Sequence, residues 1–259
     1  MANFWKTAVL RGVLTVAGWA CGVAGAQADT ALVAVAANFS GTAQQLAADF
    51  ARSSGHRIQL VPGATGKLYA QIRNGAPFDL LLSADHATPA RLVKEGAAVQ
   101  GSQFTYATGR LVLWSKQPGL VDAHGEVLRS RFERLAIADP KVAPYGAAAL
   151  EVLDQLQLRS QVQARLVQGE SIAQTYQFVF SGNAPLGFVA LSQVMADGRI
   201  TEGSAWVVPA RLHTALQHDA VQLQRGKSNA AAQAFWSYLA SEPARAVIRS
   251  HGYEDGPGR

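Results

Sequence analysis

Short apolar runs and amphipathic stretches alternate along the chain from residue 31 onward. The run ALVAVAA at 31–37 reads as a buried strand. Asn38, Phe39 and Ser40 follow it. Ala43, Leu46, Ala47 and Phe50 then recur at the i, i+3, i+4, i+7 spacing of one helix face, and Gly55 stands where a C-cap is expected. RIQLV at 57–61 predicts a second strand, the turn-rich residues 62–66 a loop, and 67–74 a short helix with Leu68 and Ile72 on one face. A third strand is predicted at 79–83. Thr88 and Pro89 read as the N-cap and first residue of another helix.

A second series follows the same rhythm. Strands are predicted at 111–115 and 135–138, then a helix entered through Pro144-Tyr145-Gly146 that carries Ala149, Leu150, Leu153 and Leu156. A strand at 164–167 leads through Glu170-Ser171 into a helix from Ile172 that Gly182 closes. Strands at 186–191 and 205–208 come next, and two helices split near Pro243 fill 229–250. Repeated β-loop-α units imply an α/β fold with mostly parallel sheets, and two such series imply two lobes. There is no internal repeat and no low-complexity linker, so the chain joining the lobes belongs to the folded structure.

Residues 1–28 break the pattern. Lys6 and Arg11 supply a positive start, and 12–25 is an uncharged stretch of apolar and small residues. Ala24-Gly25-Ala26 and Ala26-Gln27-Ala28 both fit a small-x-small cleavage site, which predicts a secretory signal peptide. The apolar stretch is shorter than the ~20 residues of a spanning helix. Lipid attachment at Cys21 is disfavoured, because Gly18 stands where a branched aliphatic residue is preferred. Cys21 is the only cysteine, so cleavage excludes both a disulfide framework and a cysteine metal site. The 231 residues after Ala28 suffice for one or two cores. The formal charge of +5 falls to +3 without Lys6 and Arg11. The charges are scattered, with no basic face for nucleic acid. No later segment has roughly 18 uninterrupted apolar residues, so the mature chain is expected to be soluble.

Four loops run from a strand into a helix start: Asn38-Phe39-Ser40, Ala64-Thr65-Gly66, Pro144-Tyr145-Gly146 and Ser171-Ile172. A helix start exposes unpaired N–H groups and roughly +0.5 of partial charge, so it holds an anion without a formal cation. Four together would supply about +2, enough to face a dianion. Asn38, Thr65 and Tyr145 add side-chain donors. Each motif alone is ordinary capping or turn chemistry.

Sharper-looking motifs fail. Residues 63–68 resemble a phosphate loop, but Val61 stands in place of the first glycine and Leu68 in place of Ser/Thr. His56, His86, His124, His213, His218 and His251 lack metal-ligand spacing and read as surface or capping residues. No nucleophile elbow is present, and adjacent Asp85 and His86 cannot form a relay.

At these loops the sequence resembles the periplasmic molybdate-binding proteins of ABC importers, from about Ala31 to Tyr253. The resemblance is carried by Val35-Ala36-Ala37-Asn38-Phe39, Gly63-Ala64-Thr65-Gly66-Lys67, Asn74-Gly75-Ala76-Pro77-Phe78-Asp79-Leu80 and Leu82-Ser83-Ala84-Asp85. Ala138-Asp139-Pro140 with Pro144-Tyr145-Gly146, Asn183-Ala184-Pro185-Leu186-Gly187-Phe188 and Ser250-His251-Gly252-Tyr253 continue it. The resemblance implies a two-lobed type II periplasmic-binding fold with two crossing hinge strands, the first lobe formed by 29–107 plus 217–259 and the second by 108–216. It implies an oxyanion, molybdate or tungstate, held in the cleft by neutral hydrogen bonds, with no metal-cation ligands and no cofactor. Position by position, Asn38 and Thr65 match side-chain contacts, and Tyr145 and Ile172 match backbone N–H donors. Many relatives have a tyrosine donor where this chain has Ala190, and the Tyr145 hydroxyl is expected to replace it. Glu170 is expected to point away from the cleft, and Lys67 either to steer anions or to sit solvated.

The implied partners are an inner-membrane permease and its ATPase, for a periplasmic monomer that binds no nucleic acid. Sulfate or phosphate in the same cleft is the alternative ligand. An enzyme on a similar fold lacks its nucleophile or metal cluster. A transcriptional effector domain would need a DNA-binding segment where the signal peptide stands.

Overall fold

The computed structural model of the protein describes Met1 and residues 29–196 and 198–256. The expected signal peptide, apart from Met1, lies outside the described residues, as does Cys21. β1 (Thr30–Ala36) runs through a 3-10 turn at Ala37–Phe39 into α1 (Ser40–Ser54). Successive β1 side chains enter two different cores. Val33 and Val35 pack with Phe39, Leu46, Phe50 and Phe235, while Ala34 packs with Leu68, Phe78 and Leu92. Burial on both faces is why the run has no strongly polar position, and each Val or Leu so buried contributes about 1.5–3 kcal/mol. α1 ends at Gly55, whose φ of 75° suits glycine and whose N–H bonds the Ala51 carbonyl at 3.0 Å.

β2 (Arg57–Gly63), α2 (Thr65–Arg73), β3 (Leu80–Leu82) and α3 (Ala87–Lys94) complete the first series. The loop expected at 62–66 is nearly absent: β2 extends to Gly63, and Ala64 alone separates it from α2. α3 also begins before the expected cap, because the Asp85 carboxylate accepts the Thr88 N–H at 2.7 Å and thereby takes the capping role from Thr88.

β4 (Phe104–Gly109) then leads straight into β5 (Leu111–Ser115) of a second sheet. There follow β6 (Leu135–Ala138), α4 (Pro144–Gln155), α5 (Arg159–Val162), β7 (Leu166–Gly169), α6 (Ile172–Phe180) and β8 (Leu186–Ala190). A small hairpin of β9 (Met195–Ala196) and β10 (Arg199–Ile200) precedes β11 (Ser204–Val207). β12 (Leu216–Gln222) returns to the first sheet, and α7 (Ala230–Tyr238), α8 (Glu242–Ser250) and β13 (Glu254–Asp255) end the fold.

The first sheet has the order β13-β4-β12-β3-β1-β2 and the second β11-β5-β8-β6-β7. β1 is parallel to β2 and β3, and β6 to β7 and β8. The other pairings in both sheets are antiparallel. Parallel pairing, expected for most of each sheet, is therefore confined to three strands at one end of it, β3-β1-β2 in the first and β8-β6-β7 in the second. The physical reason is connectivity: a chain that leaves one lobe and later returns must run its exit and return strands in opposite directions. Those strands are β4 and β12, paired antiparallel with Gly109 opposite Leu216.

The hydrophobic pattern predicts neither crossing strand. FTYATG and LQHDAVQ carry polar residues, yet His218 and Asp219 are fully buried, on either side of a register shift. Asp219 is satisfied by Thr105 Oγ1 at 2.7 Å, Gln103 Nε2 at 2.6 Å and His86 Nδ1 at 2.7 Å. Among the described residues no helix is long and apolar enough to cross a membrane.

Candidate oxyanion site

The helix starts that follow β1, β2, β6 and β7 line one small cavity between the two sheets, with a volume of about 10 Å³. Asn38, Thr65, Tyr145 and Ile172 all border it, so the structure brings together the four residues singled out in the sequence. No charged side chain is among its lining residues. Its volume lies far below the roughly 300–1,000 Å³ of clefts for drug-sized organic ligands, so in this closed form it admits none of that class.

The lobes are closed on each other. The Gly66 N–H bonds the Val142 carbonyl across the cleft at 2.9 Å, and Ser192 Oγ donates to the Asn38 carbonyl at 3.1 Å. A Cβ at Gly66 would lie 3.0 Å from the Val142 Cα, tighter than ordinary contact, so glycine eases this approach.

Two lining residues carry a signal that the motif reading passed over. Ala64 and Ala143 occupy the N-cap positions of α2 and α4, and neither helix has a side-chain cap. Alanine is a poor N-cap, because it offers no acceptor to the first N–H groups. Of those groups the Gly66 N–H goes to the Val142 carbonyl and the Gly146 N–H to the Ala143 carbonyl, both at 2.9 Å, which leaves the first N–H of α2, from Thr65, and that of Tyr145. In α6 the Ser171 hydroxyl accepts from the Gln174 N–H at 3.3 Å, which leaves the Ile172 N–H for the cavity. Buried donors left unmade cost about 1–3 kcal/mol each. Helix starts without side-chain caps around a shared, uncharged cavity present the positive ends of their dipoles to it, the polarity that favours an anion.

The side chains complete this polarity. Thr65 Oγ1 accepts from the Ala84 N–H at 3.2 Å, so its own proton is free to point into the cavity. Tyr145 is buried, which raises its phenol well above the ordinary value and keeps it a neutral donor. Its hydroxyl lies 3.5 Å from both Asn38 Nδ2 and His218 Nε2. It rests over Gly109, where a Cβ would lie 2.1 Å from the phenol oxygen. Ala190 is fully buried at the end of β8, and its N–H is taken by Gln193 Oε1 at 2.9 Å. The same Gln193 donates to the Ile172 carbonyl at 3.1 Å, tying the start of α6 to the end of β8.

Glu170 is turned to solvent, where Lys67 Nζ donates to its carboxylate at 2.6 Å. That ion pair spans the two lobes, and the ammonium holds the Glu170 carboxyl below its ordinary value. His218 departs from the expectation of surface histidines. It is enclosed by Phe39, Tyr106, Tyr145 and Tyr253, and burial lowers its pKa from 6.5 to about 3, so the ring is neutral. No sequence signal marks it, because a lone polar residue in a weak strand pattern does not show that it will be buried.

A small cavity with no charged lining residue, set between two α/β lobes joined by two crossing strands, is the arrangement of a solute-binding protein. The sequence pattern of the family described as bacterial extracellular solute-binding protein matches residues 31–254, and the chain belongs to that family. It is 52% identical over 229 residues to the molybdate-binding protein ModA of Azotobacter vinelandii, covering 88% of this chain and 91% of that one. It is 47% identical to ModA of Rhodobacter capsulatus, covering 88% and 89%. The solved structure of the periplasmic molybdate-binding protein of Azotobacter vinelandii superposes with a TM-score of 0.84 at 42% identity, over 86% of this chain and 98% of that one. The fold is accordingly the type II periplasmic-binding fold, and the chain is a binding protein rather than an enzyme.

Proposed function

We propose that this protein is the periplasmic component of an ABC importer and captures molybdate, or its congener tungstate, between its lobes. The observation that carries the reading is the convergence of helix starts with alanine caps on one small cavity free of charged side chains. The similarity to two molybdate-binding proteins supplies the identity of the ion. In this reading the backbone N–H groups of Tyr145 and Ile172 and the side chains of Asn38 and Thr65 donate to the oxygens. The Tyr145 hydroxyl supplies the donor that Ala190 lacks.

Neutral donors suit a transport protein, because they match a dianion without a formal counter-ion that would hold the ligand fast. The first lobe takes residues 29–107 and 217–259, and the second 108–216. Closure turns on β4 and β12. A permease and its ATPase in the inner membrane would receive the closed form, and residues 1–28 would direct export of a monomer.

Thermal-shift titration with molybdate, tungstate, sulfate and phosphate tests this. A ligand bound only by the folded state at about 1,000 times its Kd stabilises it by ~4 kcal/mol. Molybdate and tungstate are expected to raise the melting temperature and sulfate and phosphate not to. A shift with sulfate alone would transfer the protein to another oxyanion. Tyr145→Phe binding molybdate as tightly as the unaltered protein would remove the hydroxyl from the donor set.

A further inference from the structure

Lys67 and Glu170 stand on opposite lobes and meet across the cleft, Nζ to carboxylate oxygen at 2.6 Å. Neither lines the cavity. Each nevertheless sits two residues from a lining residue at a helix start, Lys67 from Thr65 on α2 and Glu170 from Ile172 on α6. Next to Lys67, the Gly66 N–H reaches the Val142 carbonyl of the other lobe at 2.9 Å. Adjacent residues of α2 thus make a backbone bond and a side-chain bond across the cleft.

Local structure gives no other reason for this lysine. Lys67 lies in the first turn of α2, where the positive end of the helix dipole disfavours a cation. Its ion-pair and hydrogen-bond partner among the described residues is Glu170 alone. Glu170 is held ready for it. The Glu170 N–H bonds Gln174 Oε1 at 2.6 Å, and the neighbouring Ser171 caps α6. A carboxylate just ahead of α6 is also favoured by that helix's dipole. The cation at the start of α2 is therefore offset only by a carboxylate that the other lobe carries. Hinge opening moves α2 away from α6 and breaks the pair.

We propose that the Lys67–Glu170 ion pair is a latch across the cleft that slows release of the bound oxyanion without touching it. This role rests on the oxyanion reading. The side chains are 48% and 74% exposed, so water and salt screen the bond and its effect is modest. A weak latch suits a carrier that must give up its ligand. Electrostatics without a latch predicts the opposite sign at one of the two residues. Glu170 is a negative charge near a dianion, so its neutralisation would then slow release. With the latch, its neutralisation speeds release.

Release of radiolabelled molybdate into an excess of unlabelled molybdate measures this. Both residues lie outside the hydrophobic cores, so the variants are expected to fold. Glu170→Gln and Lys67→Met are each expected to release about two- to fivefold faster at low salt. The double variant is expected to release no faster than the faster single one, because one bond is lost only once. Added salt is expected to speed release from the unaltered protein and to leave the double variant unchanged. Glu170→Gln releasing as slowly as the unaltered protein, or more slowly, overturns the latch. If the unaltered protein binds no molybdate, the functional reading falls and the latch is decided by lobe separation. Spin labels on Gln71→Cys of α2 and Gln155→Cys of α4 report that distance. A longer mean separation after adding Glu170→Gln supports the latch, and an equal one overturns it.

Discussion

Ala143→Asp separates the stability of α4 from its use. Ala143 has φ −121° and ψ 116°, the extended conformation that N-cap residues adopt, and the helix begins with Pro144, Tyr145 and Gly146. A carboxylate there accepts from the Tyr145 or Gly146 N–H and meets the positive end of the helix. Replacing a poor cap with a good one is worth about 1 kcal/mol, or ~2–4 °C of melting temperature in a chain of this size. The same carboxylate stands among the donors that the oxyanion needs. Two unit charges about 4 Å apart interact by ~4 kcal/mol at an effective dielectric near 20. Against a dianion the repulsion is about 8 kcal/mol, which corresponds to more than ~10⁵-fold in affinity. Differential scanning fluorimetry with and without saturating molybdate reads both effects. The variant without ligand is expected to melt at or slightly above the unaltered protein and to show no shift on adding molybdate. A variant that keeps more than half of the normal shift would refute the role assigned to the α4 start.

Thr65→Val removes the hydroxyl that both accepts from Ala84 and faces the cavity. Loss of one hydrogen bond to a charged ligand, about 1.5–3 kcal/mol, weakens molybdate binding roughly 10- to 100-fold in calorimetry, and Thr65→Ser retains most of it. Gly109→Ala drives a methyl to within 2.1 Å of the Tyr145 oxygen and 3.0 Å of His218 Nε2. Overpacking of this kind costs about 1–3 kcal/mol, to be read from chemical denaturation. His218 makes stability fall in acid: the unfolded chain takes up its proton below about pH 6.5, whereas the folded chain holds it off until about pH 3. Its contribution is complete above pH 6.5 and is lost across that window at up to ~1.4 kcal/mol per pH unit. His218→Gln flattens that limb in urea titrations at successive pH values.

Much of this was legible in the chain because the deciding physics was local. The run at 31–37, the stripe from Ala43 to Phe50, the Gly55 cap, Pro144 at a helix start and the start of α6 after Ser171 follow from residue type and short spacing. The four loops that line the cavity were visible for the same reason, as was their neutral chemistry. Contacts across long sequence separations were not. β4 and β12 have no convincing pattern of their own, since their polar residues are satisfied only by each other's surroundings, as Asp219 is by Thr105, Gln103 and His86. Periodicity does not say that Lys67 will meet Glu170, 103 positions away, or that His218 will sit behind Asn38, 180 positions away. The sequence by itself determined the alternation of strands and helices, the uncharged character of the loops that enter the helices and the absence of a catalytic motif. Only the tertiary structure decided which donors converge and how the crossing strands pair. It also turned a histidine expected at the surface into a neutral, buried neighbour of the site, because burial is set by what the rest of the chain brings to a position.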